Sequence, residues 1–325
     1  METAPQPEPE AGHGKDELAG AWLERLRTLR KLSSHTTAAY GRDLRQLATL
    51  TAGREWRQLG QADLRRLAAT LHGQGLEPRS IARKLSCWRG FFDWLIEQGE
   101  LSANPATGVR APKQARGLPR ALSVDDAVRL VSGAGRPQPG AAPEPAALCD
   151  RAMFELLYSS GLRVSELAAM DIHYHKADGA LPASLGWLDL AQGEAVVTGK
   201  GNKMRTVPVG SAARDALAAW IAVRPTPADG SAALFVNTRG ARISPRVVQQ
   251  RLRAHALASG MPVHVHPHML RHSFASHVLQ SSGDLRAVQD MLGHASISST
   301  QVYTALDFQR LAEVYDQAHP RAKIK

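Results

Sequence analysis

Apolar residues recur at three- and four-residue spacing along nearly the whole chain, and only between Trp187 and Val209 does the period drop to two. That single change of period predicts a mainly α protein with one small antiparallel β-sheet. The strands are read from the runs WLDL, AVVT and TVPV, separated by Ala191-Gln192-Gly193 and by the Lys-bearing turn GKGNK. Ahead of them, four stripes each predict an amphipathic helix: Leu18, Trp22 and Leu26; Tyr40, Leu44 and Leu47; Leu64, Leu67 and Leu71; and Ile81, Leu85, Trp88, Phe92 and Leu95. Ser34, Gln61-Ala62-Asp63 and Gly99 supply boundary signals. Together the four helices form a small bundle with an Arg-rich outer face.

Two breaks set the domain organisation. Residues 1–15 are Pro-, Glu- and Gly-rich with little to bury, and read as a disordered tail. Asn104-Pro105 ends the bundle (16–107), and the Pro-, Gly- and Arg-rich stretch 108–122 is a linker to a second domain, 123–325. There Ser123 caps a helix through Val124 and Leu130, and a strong helix through Phe154, Leu157 and Tyr158 ends at Gly161. Residues 211–223, 244–258, 267–281, 284–292 and 308–317 read as further helices. Segments 133–147 and 173–186 are long connections.

Charge narrows the partner. The net charge is +10 over 325 residues, distributed as −4 on residues 1–19, +9 on 20–116 and +5 on 117–325. Lys and Arg gain free energy by displacing counterions from a polyanion. Nucleic acid and an anionic membrane both satisfy this, and so does a solvated helical surface. No stretch approaches the roughly 20 apolar residues of a membrane span, and the acidic start is not a signal sequence. A soluble, cytoplasmic protein is expected. Cys87 and Cys149 are too few for a disulfide framework and are expected to be buried.

Two patterns point elsewhere and fail on their details. GEAVVTGKG has the glycines of a nucleotide-binding loop one residue too far apart, and Lys200 is followed by Gly. His264, His266, His268, His272 and His277 crowd together, but Arg271 stands between His268 and His272 with no Glu or Cys beside them. An Arg there repels a cation and attracts a phosphate.

The remaining polar residues suit phosphoryl transfer. Its transition state carries more negative charge than the ground state, so fixed cationic donors lower the barrier. Arg163 in SSGLRVSEL and Arg271 in HPHMLRHSF supply two planar forks, and His268, three residues before Arg271, shares its helical face. His294 ends DMLGH, where Gly293 closes a helix. Tyr303 lies in SSTQVYTALD. Its phenol is mostly neutral at pH 7 and needs a cationic pocket or a proton acceptor to attack. Lys200, on the GKGNK turn, reads either as a solvated hairpin tip, the commoner fate of such turns, or as the acid that protonates a leaving oxygen. No tight carboxylate cluster suggests two-metal hydrolysis, so the chemistry as read needs no metal and no cofactor.

Taken in order and spacing, SSGLRVSEL, TGKGNKMRTVPVG, HPHMLRHSFASHVLQSSGDLR, LGHASISSTQVYT and LDFQRLAEVYDQAHPRAK resemble the tyrosine recombinase (phage integrase) family over about residues 16–325. The resemblance implies a SAM-like core-binding domain at the N-terminus and a catalytic domain at the C-terminus, closing on double-stranded DNA. It makes Arg163, Lys200, His268, Arg271 and His294 the activating set and Tyr303 the nucleophile of a 3′-phosphotyrosyl intermediate. For the branch these blocks most resemble, it further implies a dif-type chromosomal site that resolves dimers at cell division. It also implies a XerD-type recombinase in a heterotetramer, an FtsK-type translocase as regulator, and a C-terminal helix around Phe308 to Tyr315 docked on a neighbouring protomer. Met269 stands where many relatives carry Lys, and the two long connections are further departures. A type IB topoisomerase-like relaxase and a DNA-binding protein without chemistry are the competing readings. The docking tail disfavours the first, and intact Tyr303, Arg163, Arg271 and Lys200 disfavour the second.

Overall fold

Helix formation in the first hundred residues follows from which face each stripe can bury. The computed structural model describes residues 14–30, 32, 34–113, 121–134, 144–179, 181–199, 202–261, 263–293 and 305–322, with the backbone alone at 34, 35 and 305–310. Chain contacts divide it into two units, Met1–Gly117 and Leu118–Lys325. In the first, α1 (Lys15–Thr28), α2 (Ser34–Leu50), α3 (Gln61–Gly73) and α4 (Pro78–Glu97) turn their apolar stripes onto one core. Trp22, Trp56, Trp88, Phe91 and Phe92 fill its centre, with Phe91 edge-on to Trp22 and Trp56 at 5.6 and 5.3 Å. The Asp63 carboxylate accepts from the Gly60 N–H at 2.9 Å and closes the start of α3. Arg42, Arg45, Arg65, Arg66, Arg79 and Arg83 are exposed, so the outer face carries the positive charge. Most of the segment read as a tail lies outside the described residues; α1 begins at Lys15, inside it.

The second unit comprises α5 (Val124–Gly133), α6 (Pro145–Ser160), α7 (Val164–Ala168), β1 (Met170–Asp171), β2 (Gly186–Asp189), β3 (Glu194–Thr198), β4 (Met204–Pro208), α8 (Ser211–Val223), α9 (Pro245–Ala258), α10 (Pro267–Ser282), α11 (Leu285–Leu292) and α12 (Ala305–Ala318). Ser123 caps α5 by accepting from the Asp126 N–H at 3.1 Å. Almost every side chain from Ala152 to Ser160 is buried, so α6 is the central helix on which the others pack. Cys87 and Cys149 are both buried thiols, and burial pushes Cys149 up to about 12. Among the described residues, no helix is long and apolar enough to cross a membrane.

The sheet departs from expectation. Its order is β1-β2-β3-β4; β2, β3 and β4 are antiparallel, but β1 joins β2 in parallel, with Met170 opposite Gly186 and Asp171 opposite Trp187. The sheet is therefore mixed. A parallel pair needs a long return path, and the long connection between Asp171 and Gly186 provides it. This connection is closed on itself, with the His175 N–H donating to Ser184 Oγ at 3.0 Å and Tyr174 set against Trp187 at 4.8 Å. A two-residue strand has too little period to be read from sequence.

The C-terminal helix is seated on its own domain. Leu311, Tyr315 and Ala318 of α12 are buried in the unit's core, and the Tyr315 hydroxyl meets Ser159 Oγ at 2.7 Å. Ser159 in turn accepts from the Gly210 N–H at 2.9 Å, and Arg321 forms an ion pair with the fully buried Glu155. The side chain of Phe308 is outside the described residues.

Candidate active site

The site begins where α6 must stop. Gly161 takes a left-handed conformation (φ 58°) at the helix end, and a Cβ there would lie 2.4 Å from the Phe274 ring, so only glycine fits. The turn delivers Arg163 to the start of α7. Glu166, one turn on, reaches back to accept from the Arg163 backbone N–H at 2.8 Å and from its Nη1 at 2.7 Å. Arg163 keeps 29% of its side chain exposed.

Two more guanidinium groups close on the same place. Arg205, on β4 and 6% exposed, donates from Nη1 and Nη2 to the two Glu166 oxygens at 2.9 Å each, and from Nε to the Met291 carbonyl at 2.9 Å. Arg271, on α10 and 8% exposed, donates to the Gly161 carbonyl at 2.6 Å and to the Leu292 carbonyl at 2.5 Å. Both carbonyls lie at helix C-terminal ends, where partial negative charge favours a cation. Burial first, and the Arg163 charge second, hold Arg271 down at about 10, well below the ordinary guanidinium value. Burial on its own would raise the Glu166 carboxyl, but Arg205 and then Arg163 outweigh it and hold it low. Three buried or half-buried cations against one carboxylate leave an excess of positive charge, which suits a phosphate.

Two glycines pack against this cluster. A Cβ at Gly199 would stand 3.2 Å from Arg205 Nη1 and 3.7 Å from Arg163 Nη1. One at Gly293, which ends α11 with φ 62°, would stand 3.1 Å from Arg205 Cδ. Gly199 and Gly293 immediately precede Lys200 and His294 in the chain. Lys200, His294 and Tyr303 themselves lie outside the described residues, as does the expected start of a helix at Tyr303.

His268 sits exposed on the first turn of α10, one turn before buried Arg271. The crowded histidines separate by environment. His266 caps α10, its Nδ1 accepting from the Met269 N–H at 3.2 Å; partial desolvation and the neighbouring His268 and His264 lower its pKa and keep that nitrogen free to accept. His264 and His272 are exposed. His277 is buried between the Tyr158 hydroxyl at 2.8 Å and the Leu122 carbonyl at 2.9 Å, and burial lowers its pKa. It is a core histidine that anchors the end of the linker.

Sequence reasoning passed over Glu166 and Arg205. Each leaves a signal: Glu166 holds the third position of a helix that opens on Arg163, and Arg205 is a charged residue in the inward register of β4, where Val207 is also buried.

Comparison with known proteins gives the family. Residues 121–310 match the phage integrase family and residues 20–99 match the phage integrase N-terminal SAM-like domain. The chain is 54% identical over 317 residues to tyrosine recombinase XerC 1 of Ralstonia nicotianae, covering 94% of each chain. It is 48% identical over 308 residues to tyrosine recombinase XerC of Pseudomonas aeruginosa, covering 94% of this chain and 95% of that one. Its fold is similar to lambda integrase bound to DNA (TM-score 0.64, 18% identity, 96% and 99% covered). It is also similar to XerH recombinase bound to a palindromic difH substrate in a post-cleavage complex (TM-score 0.62, 19% identity, 93% and 84% covered).

Proposed function

The chain belongs to the phage integrase family of tyrosine recombinases, enzymes that break and rejoin DNA, and from that premise we propose how its residues divide the reaction. Arg163 and Arg271 hold the non-bridging oxygens of the scissile phosphate, with His268 and His294 completing the set. The Tyr303 phenol attacks phosphorus and yields its proton to a neutral imidazole of that pair. The phosphorus–O5′ bond breaks as the tyrosyl–phosphorus bond forms, and Lys200 protonates the departing O5′. A 5′-hydroxyl from the other duplex then attacks the 3′-phosphotyrosyl link and releases Tyr303. Each step exchanges one phosphodiester for another, so no nucleotide is hydrolysed.

The observation that carries this reading is Arg271: a guanidinium kept charged in a buried position beside Arg163, at the expense of stability, with carbonyls taking, among the described residues, two of its five donors. The substrate is double-stranded DNA, held by the exposed arginines of the helical bundle as well as by the catalytic domain. The biological reaction is resolution of chromosome dimers at a dif-type site in the cytoplasm, with a XerD-type recombinase completing a heterotetramer and an FtsK-type translocase controlling it. Leu311 and Tyr315 are buried in the chain's own core, so for the segment from Phe308 to Tyr315 to contact a neighbouring protomer in that assembly, α12 must leave this seat. The similarity to XerC enzymes over 94% of the chain supports these assignments.

A nicked suicide substrate tests the core of the proposal. The native protein is expected to form a covalent adduct with the duplex, and Tyr303→Phe to bind the duplex without forming one; an undiminished adduct in the variant rejects Tyr303 as nucleophile. On a supercoiled two-site plasmid, recombination that depends on a XerD-type partner is expected, whereas relaxation alone would favour a topoisomerase.

A further inference from the structure

Glu166 has four acceptor positions in use, and how they are shared decides what Arg163 can do. Oε1 receives Nη1 of both Arg163 and Arg205, while Oε2 receives the Arg163 backbone N–H and Arg205 Nη2. Among the described residues, the Arg163 guanidinium therefore spends one N–H on the carboxylate and keeps the rest of its fork. An Arg beside an unshared carboxylate closes on it with two parallel bonds. Arg205 prevents that closure by occupying one full edge of Glu166.

The same guanidinium reaches the opposite wall. Its Nε donates to the Met291 carbonyl in the last turn of α11, and its Cδ and Nη1 stand against Gly293, where a Cβ would press on them at 3.1 and 3.2 Å. Arg205 thus spans from the carboxylate that holds Arg163 to the helix end from which residue 294 departs, and it also faces Gly199, the residue before Lys200. Its Nη1 and Nη2 are taken by the two Glu166 oxygens and its Nε by the Met291 carbonyl, so we assign it no phosphate oxygen.

We propose that Arg205 is a positioning residue for DNA cleavage: by occupying one edge of Glu166 it leaves the Arg163 fork open to phosphate, and by bonding the end of α11 it fixes the site's two sides relative to each other. This rests on the reading of Arg163 as a phosphate ligand. Displacement of a charged ligand by about 1 Å is enough to cost on the order of 100-fold in rate.

The test uses the full chain and a nicked duplex carrying the dif-type site of the same genome, made with either a native scissile phosphate or an uncharged methylphosphonate. Arg205→Lys keeps the charge but cannot serve both Glu166 oxygens and Met291 together. It is expected to bind the duplex normally and to cleave the native phosphate on the order of 100-fold more slowly. Arg205→Gln, which frees Glu166 for Arg163, is expected to be slower still. Adding Arg163→Ala to either should cost little more, and on the methylphosphonate, which needs no cationic clamp, the Arg205 and Arg163 penalties should shrink together. Additive losses, equal losses on both substrates, or variants that no longer fold would each reduce Arg205 to a structural residue and overturn the proposal. Normal cleavage by Arg163→Ala alone would instead sink the reading of the site on which it rests.

Discussion

Replacing Arg271 with Met is expected to remove cleavage while changing stability little, and the structure gives both magnitudes. At neutral pH the residue is charged in the folded and the unfolded chain alike. The whole fall to about 10 then weighs against folding, on the order of 3 kcal/mol. Because the folded value is the lower one, the unfolded chain holds the extra proton between the two values, and the cost fades only as pH rises above about 10 towards the ordinary guanidinium value. Opposing this cost are the bonds to Gly161 and Leu292, roughly 1.5–3 kcal/mol each for a charged donor. Met fills the space of the buried stem but leaves two carbonyls without those donors, at about 1–3 kcal/mol apiece. Relief of the buried charge offsets most of that, for a net loss of at most about 3 kcal/mol, or about 10 °C in Tm for a domain of this size. Catalysis has no such offset, since donors aimed at developing charge are worth on the order of 100- to 1000-fold. Calorimetry of the full chain alongside suicide-substrate cleavage separates the two effects. A Tm loss of more than about 20 °C, or a cleavage rate within about tenfold of native, would refute this reasoning.

Three further outcomes follow from the same structure. Gly161→Ala forces a Cβ into the Phe274 ring at a left-handed position, so Tm and cleavage should fall together by the equivalent of roughly 2–4 kcal/mol; a native-like variant in both would refute the close approach. His319 is fully buried, and burial first and His277 second hold its pKa at about 3 instead of 6.5; the unfolded chain takes up the proton first, so stability should drain as pH falls from 6.5 to 3, and His319→Phe should flatten that slope in unfolding measured across the window. Lys200→Ala should cleave poorly on native DNA and recover with a 5′-thiol leaving group, which departs without a proton; absence of rescue would argue against Lys200 as the acid.

Much of the architecture was legible because it is written in short-range terms. Helix stripes, the Ser123 cap, the Asp63 reach-back and the left-handed glycines at 161 and 293 each involve residues within a turn of one another. The blocks carrying Arg163, Lys200, His268, Arg271, His294 and Tyr303 were readable as a resemblance to the family to which the chain belongs, and the roles of these residues are the proposal made above. Tertiary structure alone decided that β1 joins in parallel, that His277 belongs to the core while His268 faces solvent, and that α12 seats Tyr315 on Ser159. It also decided how the site is neutralised. Arg205 meets Glu166 across 39 positions of chain, and Arg271 meets Gly161 across 110. No periodicity spans such distances: charged groups so far apart share one buried place only after the helices and sheet have packed, and once there, burial obliges them to pair.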